Sequence, residues 1–186
     1  MGNVSRDQLL AGLDAIRASP TGRGRVELVV ARPAEEQRLV VAAGTLDPAV
    51  GLVGDNWHVR PSISTPDRSP NPLLQLTLMN ARVSALVSGL AAGGEDRRHL
   101  AGDQLHVDLD LSVANLPAGS RLAIGEAVIE VTAPPHRGCA KFVRRFGAEA
   151  MRFVNSPVGV ELNLRGINAR VVRGGAIRPG DEIVRL

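Results

Sequence analysis

Residues 160–186 read VELNLRGINARVVRGGAIRPGDEIVRL. Three strand-like runs, 160–164, 169–172 and 182–186, are divided here by glycine turns, and this cadence of short strands sets the fold class. Upstream, residues 121–132 read as a hairpin turning at Gly125-Glu126. Leu105, Val107, Leu109 and Leu111 alternate with His106, Asp108 and Asp110, the period of a half-buried strand whose polar set faces solvent. Residues 26–31, 38–43 and 73–79 are further strands. Helices are few. Residues 5–18 make one amphipathic helix, with Ser5 and Gln8 at capping-box spacing. Asn80 caps a second over 81–91, and residues 139–154 read as two short helices meeting at Gly147. Residues 44–72 hold five of the twelve prolines and predict a loop long enough to be functional. Strand–helix–strand alternation is missing. The pattern therefore predicts a mainly β protein with helical insertions, a β-barrel rather than a doubly wound sheet.

The chain has 186 residues, 44% of them hydrophobic and 22% charged, which fits one folded domain and excludes a disordered class. Apolar stretches such as residues 39–43 fall far short of the roughly 18 residues a membrane span needs. Arg6, Asp7, Asp14 and Arg17 in the first helical segment argue against a signal peptide or anchor. The expectation is a cytoplasmic protein with no membrane partner. Trp57, Phe142, Phe146 and Phe153 are its only aromatic residues, too few for a base-stacking platform, so no nucleic-acid partner is expected. Neither GxGxxG nor a P-loop follows a strand, which argues against the common nucleotide cofactors.

The net charge of +3 is unevenly placed. Residues 136–186 hold ten basic and four acidic side chains, whereas residues 1–135 hold twelve and fifteen. Positive charge thus gathers around Cys139, the only cysteine, which excludes an internal disulfide and a multi-cysteine zinc site. Its setting is PPHRGCAKFVRRFG, residues 134–147. The sulfur is placed at the start of a helix, with His136, Arg137 and Lys141 nearby. A helix N-terminus and neighbouring cations both favour a thiolate, which can ligate a soft metal, carry a persulfide or attack an electrophile. The plainer alternative is a small buried hydrophobe.

Other constellations carry less. A Cys–His dyad could draw on His58, His99, His106 or His136, but no family signature surrounds them. His99, Asp103 and His106 offer metal-ligand residue types, yet their spacing crosses a turn into a strand, and solvent-facing positions suit them better. Lys141 is the only lysine, which argues against pyridoxal phosphate chemistry through a Schiff base.

The segment 134–147, followed by LNLRGINARVVRGGAIRPGDEI (162–183), resembles the C-terminal half of a MOSC domain, the domain named after the C-terminus of molybdenum-cofactor sulfurase. GLVGDNW (51–57) and HLAGDQLHVDLDLS (99–112) resemble glycine-aspartate turns of the same family. The resemblance implies one MOSC-type domain, with residues 1–25 as a helical lead-in and 26–186 as a β-barrel like the pyruvate kinase barrel domain. It also implies a functional cysteine, here Cys139, that ligates molybdenum of a pterin cofactor or carries sulfur. Arg144, Arg145 and Arg165, together with Lys141 and His136, are then the expected cofactor-binding residues, the guanidinium groups pairing with phosphate.

Relatives of the amidoxime-reducing kind act as oxidoreductases on small N-hydroxylated molecules. This sequence departs from them: residues 89–104 read GLAAGGEDRRHLAGDQ where a His-Gly-Gly motif stands in small bacterial members, and there is no tyrosine. No Thr-x-Asp-Pro follows the cysteine. Three readings stay open: a molybdenum-pterin protein, a persulfide carrier without metal, and a non-catalytic anion-binding module. In the first two, electrons or sulfur would come from a separate donor protein.

Overall fold

The valine-rich run Arg23–Ala31 forms the longest strand, β1, in a computed structural model that describes residues 3–186. Then follow β2 (Leu39–Val40), β3 (Gly44–Asp47), β4 (Gly51–Leu52), β5 (Leu76–Asn80), β6 (Leu105–Asp108) and β7 (Arg121–Ile124). The remaining strands are β8 (Ala127–Val131), β9 (Ile167–Arg173), β10 (Gly175–Ile177) and β11 (Glu182–Arg185). Seven of these close into a barrel in the order β11-β7-β8-β9-β5-β6-β1, sealed by the antiparallel pair β1–β11 with Arg23 opposite Val184. Among the described strands only β5 and β6 run parallel, Leu78 lying opposite Leu105. β2 extends β1, and β10, β3 and β4 form a small separate sheet.

Period-two alternation decides which side chains fill the barrel. Val26, Leu76, Leu78, Leu105, Val107, Ile129 and Ile183 share its core. A second apolar cluster lies under the helices α1 (Arg6–Ala11), α2 (Leu13–Arg17), α3 (Ala81–Ser88), α4 (Ala140–Val154) and α5 (Pro157–Glu161). Met79 of β5 joins Leu9, Val83, Phe142, Phe146 and Phe153 there, so β5 is covered on both faces and buried along its whole length.

Several local signals act as expected. Ser5 and Gln8 form a reciprocal capping box, and the Asn80 side chain accepts from the backbone N–H groups of Arg82 and Val83. The β7–β8 hairpin turns at Gly125-Glu126, and α4 kinks at Gly147, whose φ of 87° is left-handed.

Others are corrected. Residues 160–164 are not a strand: Ser156 caps α5 through the Gly159 N–H and Pro157 starts it, so the apolar run continues as helix and turn. His106 does not face solvent. It is fully buried, because the face of β6 opposite the barrel core is covered by the helical layer. That strand ends at Asp108 rather than Leu111, the run 38–43 shortens to the two residues of β2, and the first helix divides at Gly12. The predicted loop 44–72 contains β3, β4 and a 3-10 turn at Trp57–Val59, while the strand expected over 73–79 starts after a 3-10 turn at Pro72–Leu74. Among the described residues no helix is long and apolar enough to cross a membrane.

Candidate functional site

Cys139 is exposed and occupies the N-cap position of α4. The preceding loop is pinned at both ends. Asn168 Nδ2 donates to the Pro134 carbonyl at 2.9 Å, and the Gly138 N–H donates to Asn155 Oδ1 at 3.0 Å. A Cβ at position 138 would lie 2.6 Å from Met151 Sδ, so glycine lets the chain pass close to the far end of α4 just before the sulfur.

The first turn of α4 also carries Lys141, which lines a cavity of about 370 Å³ with Arg32, Glu35, Glu36, Arg38, Asn56 and Arg60. Its charges are unevenly matched. Arg32 is buried against Asp55, with Nε and Nη2 donating to the carboxylate at 2.8 and 3.0 Å and Nη1 to the Gly102 carbonyl at 3.2 Å. Lys141 pairs with Glu35 at 3.0 Å and Glu36 at 3.1 Å. Arg145 reaches Glu36 at 2.5 Å and the Leu100 carbonyl at 2.9 Å, and Arg144 is exposed, 3.8 Å from Glu36. Hydrogen bonds from Lys141 and Arg145 hold the Glu36 carboxyl down at about 2, and those to Glu35 and Glu36 raise Lys141.

Arg38 and Arg60 have no carboxylate partner among the described residues. Burial, Arg145 and Arg32 pull the Arg38 pKa down; burial and Arg32 do the same to Arg60. Arg38 Nε and Asn56 Oδ1 are buried without hydrogen-bond partners. Arg38 Nη1 donates to the Gln37 carbonyl at 2.6 Å, but a cavity wall with two guanidiniums that lack a carboxylate partner attracts an anion.

Arg165 lies behind this wall. It is buried, donates from Nη1 to both oxygens of Asp103 at 2.7 and 2.9 Å and from Nη2 to the Ala101 carbonyl at 3.2 Å, and stacks 5.0 Å from the Phe142 ring centroid. Burial pushes the Asp103 carboxyl up against the pull of Arg165. His136 Nδ1 sits 3.4 Å from Asp103 Oδ1 without an aligned hydrogen bond. Burial first, then Arg165 and Arg32, holds the imidazole well below its usual range, which keeps it neutral.

The structure thus brings Cys139, Lys141, Arg144 and Arg145 onto one helix end, and places Arg165 and His136 on Asp103. Sequence reading missed Arg32, Arg38, Asn56 and Arg60. Their signal was the long proline-rich segment 44–72 and the Gly-Asp turn at 54–55, whose aspartate anchors Arg32, the residue just after β1. His99, Asp103 and His106 do not form a metal site, since no three metal-ligating side chains gather among the described residues.

Comparison with known proteins bears on this arrangement. A family model described as the MOSC domain matches residues 94–184. No curated protein matches the sequence at a significant level. The crystal structure of the YuaD protein from Bacillus subtilis is similar with a TM-score of 0.62 at 18% identity, covering 87% of this chain and 94% of that one. The crystal structure of YiiM from Escherichia coli is similar with a TM-score of 0.54 at 18% identity, covering 87% and 69%. At such identities the likeness is one of fold.

Proposed function

For a chain that belongs to the MOSC domain family through residues 94–184, we propose that Cys139 and the cation-lined cavity together hold a molybdenum-pterin cofactor. The charge imbalance of the cavity carries this reading: Arg38 and Arg60 lack carboxylate partners among the described residues, and Arg38 Nε is an orphaned buried donor. The residues fit the group. An exposed sulfur supplies the soft ligand that molybdenum takes, and the guanidiniums of Arg38 and Arg60, which lack carboxylate partners, supply the phosphate contacts. When bound, the cofactor supplies redox chemistry at its metal. The chain itself anchors and orients. Asp55 fixes Arg32, Glu36 gathers Lys141 and Arg145, and the pinned loop before Cys139 holds the thiol at the end of α4.

Elemental analysis and mass spectrometry of protein from a cofactor-producing host test the reading. Stoichiometric molybdenum is expected, with its loss in Cys139→Ser. Arg60→Ala weakens retention by about 1.5–3 kcal/mol, the worth of a charge-assisted hydrogen bond. Arg6→Ala on α1 changes nothing. A sulfur adduct on Cys139 without molybdenum would instead identify a persulfide carrier, and an unmodified, metal-free chain would leave an anion-binding module.

A further inference from the structure

A second cavity, about 270 Å³, lies on the other flank of the loop that leads to Cys139, and residues 131–137 form one of its walls. Leu116, Val131, Val160 and Ile167 give it an apolar lining. Three of its polar side chains already donate to backbone carbonyls. Thr132 Oγ1 donates to the Leu73 carbonyl at 2.6 Å, Asn163 Nδ2 to the Leu111 carbonyl at 2.8 Å, and Asn168 Nδ2 to the Pro134 carbonyl at 2.9 Å. Arg137, at the rim, is exposed to solvent. The imidazole of His136 also lines this cavity, and its Nδ1 is buried without a hydrogen-bond partner.

The two ring nitrogens of His136 differ. Nδ1 is sealed from solvent, with no aligned partner, 3.4 Å from the fully buried Asp103 carboxylate. A carboxylate at that distance favours the tautomer with its proton on Nδ1, which leaves a lone pair on Nε2. The charged groups that act on the ring are Asp103, in contact at 3.4 Å, and the Arg165 and Arg32 guanidiniums. The two arginines disfavour a cationic imidazole, and Arg165 also keeps Asp103 in place. We propose that this cavity binds a small organic molecule bearing an O–H or N–H donor, with His136 Nε2 as its acceptor and Asp103 as the group that sets the tautomer. The apolar walls select a neutral molecule of about one ring, and the donor is supplied by the ligand because Nε2 of the Nδ1–H tautomer can only accept. The proposal does not rest on the cofactor reading, since neither Cys139 nor the guanidiniums of Arg38 and Arg60 line this cavity.

Two-bond proton–nitrogen correlation spectra of the ¹⁵N-histidine-labelled protein test this, with His136→Gln assigning the signal among the four histidines. The expected result is an Nδ1–H tautomer for His136 that persists from neutral pH to pH 5. Phenol, used as the probe, should move the Nε2 resonance upfield in a saturable way and leave His58 unmoved. Asp103→Asn should shift the tautomer balance toward Nε2–H and weaken phenol binding at least several-fold. An Nε2–H tautomer in the unaltered protein overturns the proposal. So does a phenol response that fails to saturate or that His58 shares. Both readouts use the unaltered chain, so a poorly folding Asp103→Asn variant leaves the decision intact.

Discussion

Asp103 has no exposed surface, yet it holds a carboxylate between Arg165 and His136. Charges buried this deeply persist only when paired, and removing one partner is costlier than removing both. Arg165→Met is therefore expected to destabilise the protein by about 3–5 kcal/mol in denaturant unfolding, because Asp103 is left uncompensated. The double variant Asp103→Leu/Arg165→Met should recover most of that loss. A single-variant loss under about 1 kcal/mol would mean that water or another cation satisfies the carboxylate. Cys139 differs from this pair. It is exposed at an N-cap with no side-chain capping bond, so its chemistry is separable from stability.

Among the elements, the turn between α5 and β9 sets how closely the helical layer approaches the barrel wall. Gly166 has a φ of 108°, and a Cβ there would lie 2.1 Å from the Leu78 carbonyl oxygen of β5. That oxygen belongs to a strand paired on both sides and cannot retreat. Gly166→Ala combines left-handed strain with a backbone clash, and a loss of about 3 kcal/mol or more is expected. Gly180 separates the two effects. Its φ is 95°, but nothing lies within 4 Å of where a Cβ would project, so Gly180→Ala should cost only the strain, about 1–2 kcal/mol. Equal losses in the two variants, read from thermal or denaturant unfolding, would show that the approach to β5 is not the constraint.

For the molecule as a whole, the helical layer over β6 makes folding acid-sensitive. His106 is fully buried with both ring nitrogens unpartnered, and burial, with Arg98 and Arg165 adding to it, brings its pKa from 6.5 to about 3. The fold therefore accepts only the neutral ring, while the unfolded chain takes up a proton below about 6.5. The stability tied to this histidine is complete above pH 6.5. It declines as pH falls and is lost near pH 3, by roughly 3–5 kcal/mol over that window. His106→Leu should match or exceed the parent at neutral pH and gain on it steadily toward acid. Denaturant midpoints at several pH values check this, and parallel curves for the two proteins would contradict it.

What the sequence determined by itself were features whose physics is local. The Ser5–Gln8 box, the Asn80 cap, the turn at Gly125 and the kink at Gly147 rest on neighbouring residues, and short alternating strands separated by glycine turns already imply a barrel. Placing Cys139 at the start of a helix was legible for the same reason. Tertiary structure decided what depends on distant pairing. The alternation of β6 looked half-buried because periodicity distinguishes two faces without revealing that helices cover the second, and His106 is buried on that account. Residues 160–164 have the composition of a strand, but Ser156 and Pro157 start a helix that packs beside α4. The cationic cavity brings Arg38 and Arg60 together with Lys141, so that a surface loop and a distant helix end share one wall. Asp103 likewise meets Arg165 and His136 from remote parts of the chain. Such sites are set by long-range closure of the barrel, and spacing along the chain carries no record of it.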